Sequence, residues 1–456
     1  MQFISTRGHA APASFTDVVM QGLAPDGGLY VPQTWPKPVA LSPAVSYTEM
    51  ALRVIAPFTE GSLSPASLEK IITDTYTPDI FHSAAITPLR QISDRLHILE
   101  LFHGPTLAFK DVALQFLGRL FDALLEQSGQ KITIVGATSG DTGSAAIEAC
   151  KGRKNISITI LHPYGRTSEI QRRQMTSVLE GNVHNIAIEG TFDDCQNLVK
   201  QAFGDMKLRH EKNLSAINSI NWARIIAQSV YYAMSAQTLG KAPAFAVPTG
   251  NFGNVYAAWV AAQIGVPIEH LVIGSNRNDI LTRFFETGAM TLDQVIPSHS
   301  PSMDIQISSN FERYLFELFG RDSAKLSSKM SAFKTAGTFS VEPSELEAAR
   351  RTFTARRCSD EDTLATIARV YKETGYILDP HTAVGVHALD NARLTTDAPR
   401  VALACAHPAK FPDVVERAIG VRPALPEHLS DLLTRQERYT IMPNDFAALR
   451  SHLMGV

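Results

Sequence analysis

Apolar residues recur along this chain with two periods, and their alternation predicts most of the architecture. From Asp111 to Glu126 they stand at Val112, Phe116, Leu120 and Leu124, the spacing of one helix face. Short apolar runs bounded by polar or glycine-containing turns predict strands at Leu96–Phe102, Lys131–Val135, Ile156–Leu161, Val183–Ile188, Ala244–Val247, Leu271–Ile273 and Val401–Cys405. Residues 142–150, 169–179, 192–206, 222–239 and 254–264 carry helical patterns between them. Strands alternating with helices predict parallel sheets covered on both faces.

The flanks read differently. Up to about Phe81 the pattern gives a short amphipathic helix at Ser14–Gly22, a turn at Asp26-Gly27-Gly28 before Leu29–Pro32, and helices at Tyr47–Phe58 and Pro65–Tyr76. Ser64 suits the cap of the last and Pro65 its first position. Residues 288–337, with Pro297 and Pro301, read as a long loop holding one helix near Phe311–Phe319. Helices are expected again at 344–356, 359–374 and 382–392, and a helical tail from about Pro423. The expected organisation is an N-terminal helical domain at 1–82, a catalytic region at 83–422 and a tail at 423–456. Within the catalytic region a smaller sheet subdomain, near 111–240, is inserted in a larger one.

Composition narrows the class. The chain has 456 residues, too many for one ordinary core. Hydrophobic residues make up 45% and charged residues 19%, the balance of a folded protein. A net charge of -3 argues against nucleic-acid binding by bulk positive charge. Cys150, Cys195, Cys358 and Cys405 show no metal-ligand spacing and read as reduced thiols, so no metal site is expected. Residues 1–12 hold one Arg and no apolar core, unlike a secretory signal. No run approaches the ~20 apolar residues of a membrane span. A cytoplasmic protein is expected, with no nucleic-acid or membrane partner. Monomer and dimer both stay open.

The chemistry concentrates at His103-Gly104-Pro105-Thr106-Leu107-Ala108-Phe109-Lys110-Asp111. Lys110 follows an apolar run, so it either snorkels to water or sits in a pocket. In a pocket, desolvation makes the amine a nucleophile, the condition for bonding a carbonyl cofactor. Two glycine-rich turns lie downstream, each between a predicted strand and helix: Gly136–Gly143 and Pro248–Asn254. N–H groups converging at such turns make anion sites; ordinary tight turns would look the same. Neither is a P-loop or a Gly-x-Gly-x-x-Gly fingerprint.

Together these stretches resemble the pyridoxal-phosphate enzymes of the tryptophan-synthase-β fold type, and within it the threonine synthase family. The family's motif around its Schiff-base lysine stands complete from His103 to Asp111, its Ser-Gly-Asp-Thr-Gly turn at Ser139–Gly143, and its Gly-Asn-Phe-Gly turn at Gly250–Gly253. Asn218–Asn221, Ser302–Asp304, Asp379–His381, Ala406–Phe411, Gln21–Leu23 and Gly28-Leu29 are also similar to the family. The resemblance runs through nearly the whole chain in order, and the lysine motif is specific to this family.

The resemblance implies an α/β fold of two parallel-sheet domains with an added N-terminal helical domain, and pyridoxal 5'-phosphate as cofactor. It implies a lyase making L-threonine and phosphate from O-phospho-L-homoserine and water. Lys110 would hold the cofactor and move protons. Gly250, Asn251, Phe252, Gly253 and Asn254 would cradle its phosphate. Thr138, Ser139, Gly140 and Thr142 would receive the substrate carboxylate, with Asp141 also facing the cofactor ring. His103, Thr106 and Lys410 are further substrate-binding candidates, and His407 lies in a family motif. Cys405 stands where the family usually has Thr facing the ring nitrogen, and a thiol is a weaker donor. The substrate phosphate needs cations, for which Lys410, Arg166, His162, Arg224 and Arg277 are candidates. The rival readings are a phospho-lyase giving 2-oxobutanoate and a non-catalytic paralogue that binds a phosphometabolite.

Overall fold

Unbroken apolar runs build two central sheets, because a parallel strand buried on both faces has no solvent side to keep polar. The computed structural model describes residues 1–42 and 45–456, in two compact units: Met1–His103 with Ser219–Pro423, and Gly104–Asn218 with Ala424–Val456.

The smaller unit is a five-stranded parallel sheet in the order Thr440–Pro443, Val183–Glu189, Ile156–Pro163, Ile132–Ala137, Leu214–Ser215. The helices Lys110–Ser128, Asp141–Cys150, Glu169–Thr176 and Phe192–Gly204 belong to it. Val135, Leu161, Ile186 and Ile188 share a core with Leu449 and Leu453 of the terminal helix Phe446–Gly455.

The larger unit has six strands in the order Phe353–Arg357, His270–Ser275, Ala244–Pro248, Arg400–Ala404, Leu96–Glu100, Leu89–Gln91. All pairs are parallel except the edge pair Leu89–Gln91 with Leu96–Glu100. The register places Ala246 beside Val272 and Ala402, and Ala402 beside Ile98. All four are fully buried in one core. The N-terminal part adds more than helices. Gln2–Ser5 pairs antiparallel with Ala13–Ser14 and Tyr30–Pro32. Phe3 and Phe58 pack edge-on or tilted against Trp222, at 5.5 and 5.7 Å between ring centroids.

Several elements differ from the sequence reading. The helix Trp222–Leu239, expected in the smaller sheet subdomain, belongs to the larger unit, where it packs on Tyr47–Thr59 and Gly253–Gln263. Residues 288–337 hold a second helix, Ser323–Ala336, whose single buried residue, Leu326, gives almost no apolar period. The helix expected at 344–356 stops at Thr352, and Phe353–Arg357 becomes a strand against Leu271–Ser275. No glycine or proline marks that change, so sheet pairing alone decides it. The tail is not all helix: Thr440–Pro443 closes one edge of the smaller sheet.

Candidate active site

In the smaller unit the lysine motif folds into a loop that turns directly into a helix. Lys110 is the first residue of Lys110–Ser128. The Asp111 carboxylate reaches back over the loop, accepting from the Thr106 N–H at 2.8 Å and the Thr106 hydroxyl at 2.7 Å. Gly104 makes room for it, since a Cβ there would lie 2.4 Å from the Asp111 Cβ. Gln174 Nε2 donates to the Thr106 carbonyl at 3.1 Å. Held this way, Lys110 is 9% exposed, with Nζ 4.9 Å from the Phe109 ring centre and 3.5 Å from Asp141 Oδ2. Asp141 is itself buried and accepts from Gln171 Nε2 at 3.0 Å.

Asp141 opens the helix Asp141–Cys150 just after the first glycine turn. Thr138, inside that turn, is 3% exposed and its hydroxyl accepts from the N–H groups of Gly140 and Gly143 at 3.0 and 2.9 Å. It braces the turn. Ser139 is exposed, and Thr142 is half-buried.

In the larger unit the second glycine turn leads into Gly253–Gln263 through Phe252, which adopts a left-handed backbone at φ 61. The turn is braced from outside. Ser308 donates to the Gly250 carbonyl at 2.6 Å, and the Asn310 backbone and side chain both donate to the Asn251 carbonyl at 3.0 Å. The fully buried Arg313 donates to Asn310 Oδ1 and to the carbonyls of Ile220 and Tyr30. Asn254 Oδ1 accepts from the hydroxyls of Tyr231 and Tyr232, while its Nδ2 is buried with no hydrogen-bond partner.

Most helices here open on a Ser, Thr, Asp or Asn side chain that caps the first turn, as Ser46, Ser168, Thr191 and Ser359 do. The helix starting at Gly253 has no such cap; at Asp141 the Thr138 hydroxyl takes the Gly143 N–H instead, and in the first turn from Lys110 the N–H groups of Asp111 and Val112 donate to the carbonyls of Ala108 and Phe109. At Gly253 the uncapped N-terminus leaves N–H groups and the positive end of the helix dipole for an external anion.

Cys405 follows the strand Arg400–Ala404 and is 6% exposed. Its Sγ lies 3.8 Å from the Leu403 carbonyl, and its N–H donates to Thr382 Oγ1. The Thr382 hydroxyl donates in turn to Asp379, which also accepts from the N–H of His381 at 2.9 Å. His381 Nε2 accepts from the Ser302 N–H at 3.3 Å, so Nδ1 carries the proton and donates to Asp379 at 3.0 Å. One network thus ties Ser302 to Asp379 and His381. His103 Nε2 is engaged by Glu100 at 2.8 Å, and Glu100 also accepts from Tyr376. Burial pushes the Glu100 carboxyl up, yet His103, Tyr376 and Arg90 together hold it below the ordinary range.

The five candidate cations separate. Arg166 is exposed, and Arg277 is spent on Asp360 at 3.4 Å near the surface. His162 is buried and kept neutral, its pKa pushed down to about 4 by burial. Lys410 is 1% exposed, in the short turn Pro408–Lys410. Arg224 is 4% exposed, and its Nε and Nη1 have no hydrogen-bond partner. Gln171, Gln174 and Asn310 carried no signal in the sequence, because amides so far from the groups they serve are visible only after folding.

A buried lysine at a helix start and an uncapped glycine turn after a parallel strand, on this sheet order, define a pyridoxal-phosphate-dependent enzyme of the tryptophan-synthase-β fold type. The family model described as pyridoxal-phosphate dependent enzyme matches residues 80–405, that of the threonine synthase N terminus residues 2–76, and that of the threonine synthase C-terminal region residues 382–453. Threonine synthase from Pseudomonas aeruginosa is 50% identical over 99% of this chain and 97% of the relative. That of Schizosaccharomyces pombe is 44% identical over 92% of this chain and 90% of the relative. Among solved structures, pyridoxal-phosphate-bound threonine synthase from Brucella melitensis superposes with TM-score 0.97 at 49% identity, covering 100% of this chain and 99% of that one. The yeast threonine synthase gives 0.95 at 40%, covering 99% and 98%. The chain belongs to the threonine synthase family.

Proposed function

We propose that the protein makes L-threonine and phosphate from O-phospho-L-homoserine and water, in the cytoplasm. The observation that supports it is Arg224 together with Asn254 in the larger unit. A buried guanidinium with two unpartnered donors is costly until an anion meets it. Asn254 Nδ2, also lacking a partner, belongs to the turn assigned to phosphate.

The residues fit pyridoxal phosphate by their donor set: a buried amine at Lys110, an uncapped helix after Phe252, and a turn held open by Gly250 and Gly253. A Cβ at Gly253 would come within 3.2 Å of Asn310 Nδ2. When bound, the cofactor supplies an electron sink for negative charge on carbons next to an attached amine. Lys110 would hold it covalently and, once displaced by the substrate amine, carry protons at the substrate α and β carbons. Asp141 would favour the protonated state of that amine between transfers, and Gln171 would keep the carboxylate aimed. The N–H groups of residues 250–254 would bind the cofactor phosphate. Ser139, Gly140 and Thr142 would take the substrate carboxylate, on a turn held in shape by Thr138. Arg224 would neutralise the phosphate as it leaves, with Lys410 as the second cation. Cys405 would face the ring nitrogen. His103 and Thr106 would shape the loop that carries the lysine.

Chromatography of the reaction on O-phospho-L-homoserine tests the reading. Threonine with equimolar phosphate is expected; 2-oxobutanoate as the main product would replace the reading by the phospho-lyase. Borohydride reduction of the holoenzyme should fix the cofactor on Lys110 in peptide maps, and a label on another lysine removes the assignment.

A further inference from the structure

Leu107, three residues before Lys110, has φ 58. In that left-handed region the Cβ of a leucine crowds the following carbonyl oxygen. A non-glycine residue stays there only where its surroundings over-determine it. Ala108 and Phe109 then run straight into the helix at Lys110, so the torsions of Leu107 set how that helix begins and where the lysine starts.

Polar contacts pin the loop on both sides of Leu107. Beyond it the Ala108 carbonyl accepts from the Asp111 N–H at 3.0 Å; before it the Thr106 carbonyl accepts from Gln174, and the N–H of Leu107 donates to the Gly104 carbonyl at 3.0 Å. Its side chain is held differently. It is 1% exposed in an apolar cluster with Leu429 and Leu432, edged by Ile170 and Leu425. A relaxed backbone at Leu107 would swing the side chain out of that cluster. We propose that Leu429 and Leu432 are positioning residues for Lys110, acting by holding Leu107 in its left-handed conformation.

The C-terminal segment can do this because other contacts anchor it. Thr440–Pro443 pairs with the sheet, and Glu437 meets Arg172 at 2.8 Å. The Arg438 N–H donates to the Thr176 carbonyl at 2.7 Å, and Leu449 and Leu453 are buried. Truncating one leucine therefore leaves the segment in place.

The inference rests on the cofactor-holding role of Lys110, and the experiment separates the two. Cofactor is removed from the purified protein, and pyridoxal phosphate is titrated back while borohydride-fixed label on Lys110 is counted. Wild type failing to label Lys110 defeats the functional reading itself. With wild type labelled, Leu432→Ala should weaken cofactor affinity about tenfold, the equivalent of one left-handed residue's strain. Leu432→Ala/Leu107→Gly should recover to within about threefold of wild type, because glycine adopts φ near +60 without crowding. A purely packing role gives the opposite order, since the glycine removes more apolar contact. Leu429→Ala is read in the same way if Leu432→Ala does not fold. Unchanged affinity in the folded single variant, or a double variant no better than the single, overturns the inference.

Discussion

Replacing Arg224 by Met should push stability and catalysis in opposite directions. Burial lowers the arginine's pKa to about 10 from the usual 12.5. At 1.36 kcal/mol for each tenfold in proton affinity, that is ~3 kcal/mol held against the charged form. The folded state resists protonation more than the unfolded state, so the penalty is constant below about pH 10. It is relieved only as pH rises towards 12.5. Met keeps most of the apolar stem and removes the charge. Allowing ~1–2 kcal/mol for imperfect repacking, the ligand-free variant should be more stable by about 1–2 kcal/mol, a Tm rise of a few degrees. Catalysis loses two charge-assisted hydrogen bonds to phosphate, each worth ~1.5–3 kcal/mol, so kcat/KM should fall ~10²- to 10⁴-fold. In the holoenzyme, where the 250–254 turn is taken by the cofactor, inorganic phosphate should raise the Tm of wild type more than that of Arg224→Met. Scanning fluorimetry and phosphate-release kinetics read all three quantities. A lower Tm with kcat/KM within about threefold of wild type would make Arg224 a structural residue and refute the reasoning.

Three further outcomes are expected. Gly253→Asp places a negative charge and a Cβ beside Asn310, so cofactor affinity should fall steeply while circular dichroism is unchanged; equal affinity in a titration removes residues 250–254 from the phosphate site. Cys405→Thr should keep activity and Cys405→Asp should lose most of it with cofactor still bound, because a carboxylate would favour a protonated ring nitrogen; equal turnover means Cys405 does not face the ring. His162, its pKa pushed down to about 4, resists protonation that the unfolded chain accepts near 6.5. Stability should therefore drop as pH falls from 6.5 to 4, by up to ~3 kcal/mol. Tm against pH should flatten over that range in His162→Phe, and parallel curves would assign the acid sensitivity to other groups.

The sequence by itself determined the elements whose signal is local. The strands Leu96–Glu100, Ile132–Ala137, Ile156–Pro163, Val183–Glu189, Ala244–Pro248, His270–Ser275 and Arg400–Ala404, and most helices between them, stand where the apolar period placed them, because burial on both faces writes itself into consecutive residues. Lys110 was marked by its own neighbours. Tertiary structure decided whatever depends on a partner far along the chain. Phe353–Arg357 reads as the end of a helix until His270–Ser275 offers it a ladder. Thr440–Pro443 likewise becomes a strand only beside Val183–Glu189. Five cations looked alike as candidates, and only folding left Arg224 buried with donors unmet while Arg277 reached Asp360 at the surface. Gln171 on Asp141, Gln174 on Thr106 and Leu432 against Leu107 belong to the same kind. A polar group's partner, or the packing that holds a strained residue, is set by proximity in space, and a one-dimensional pattern reports only whether a position is buried.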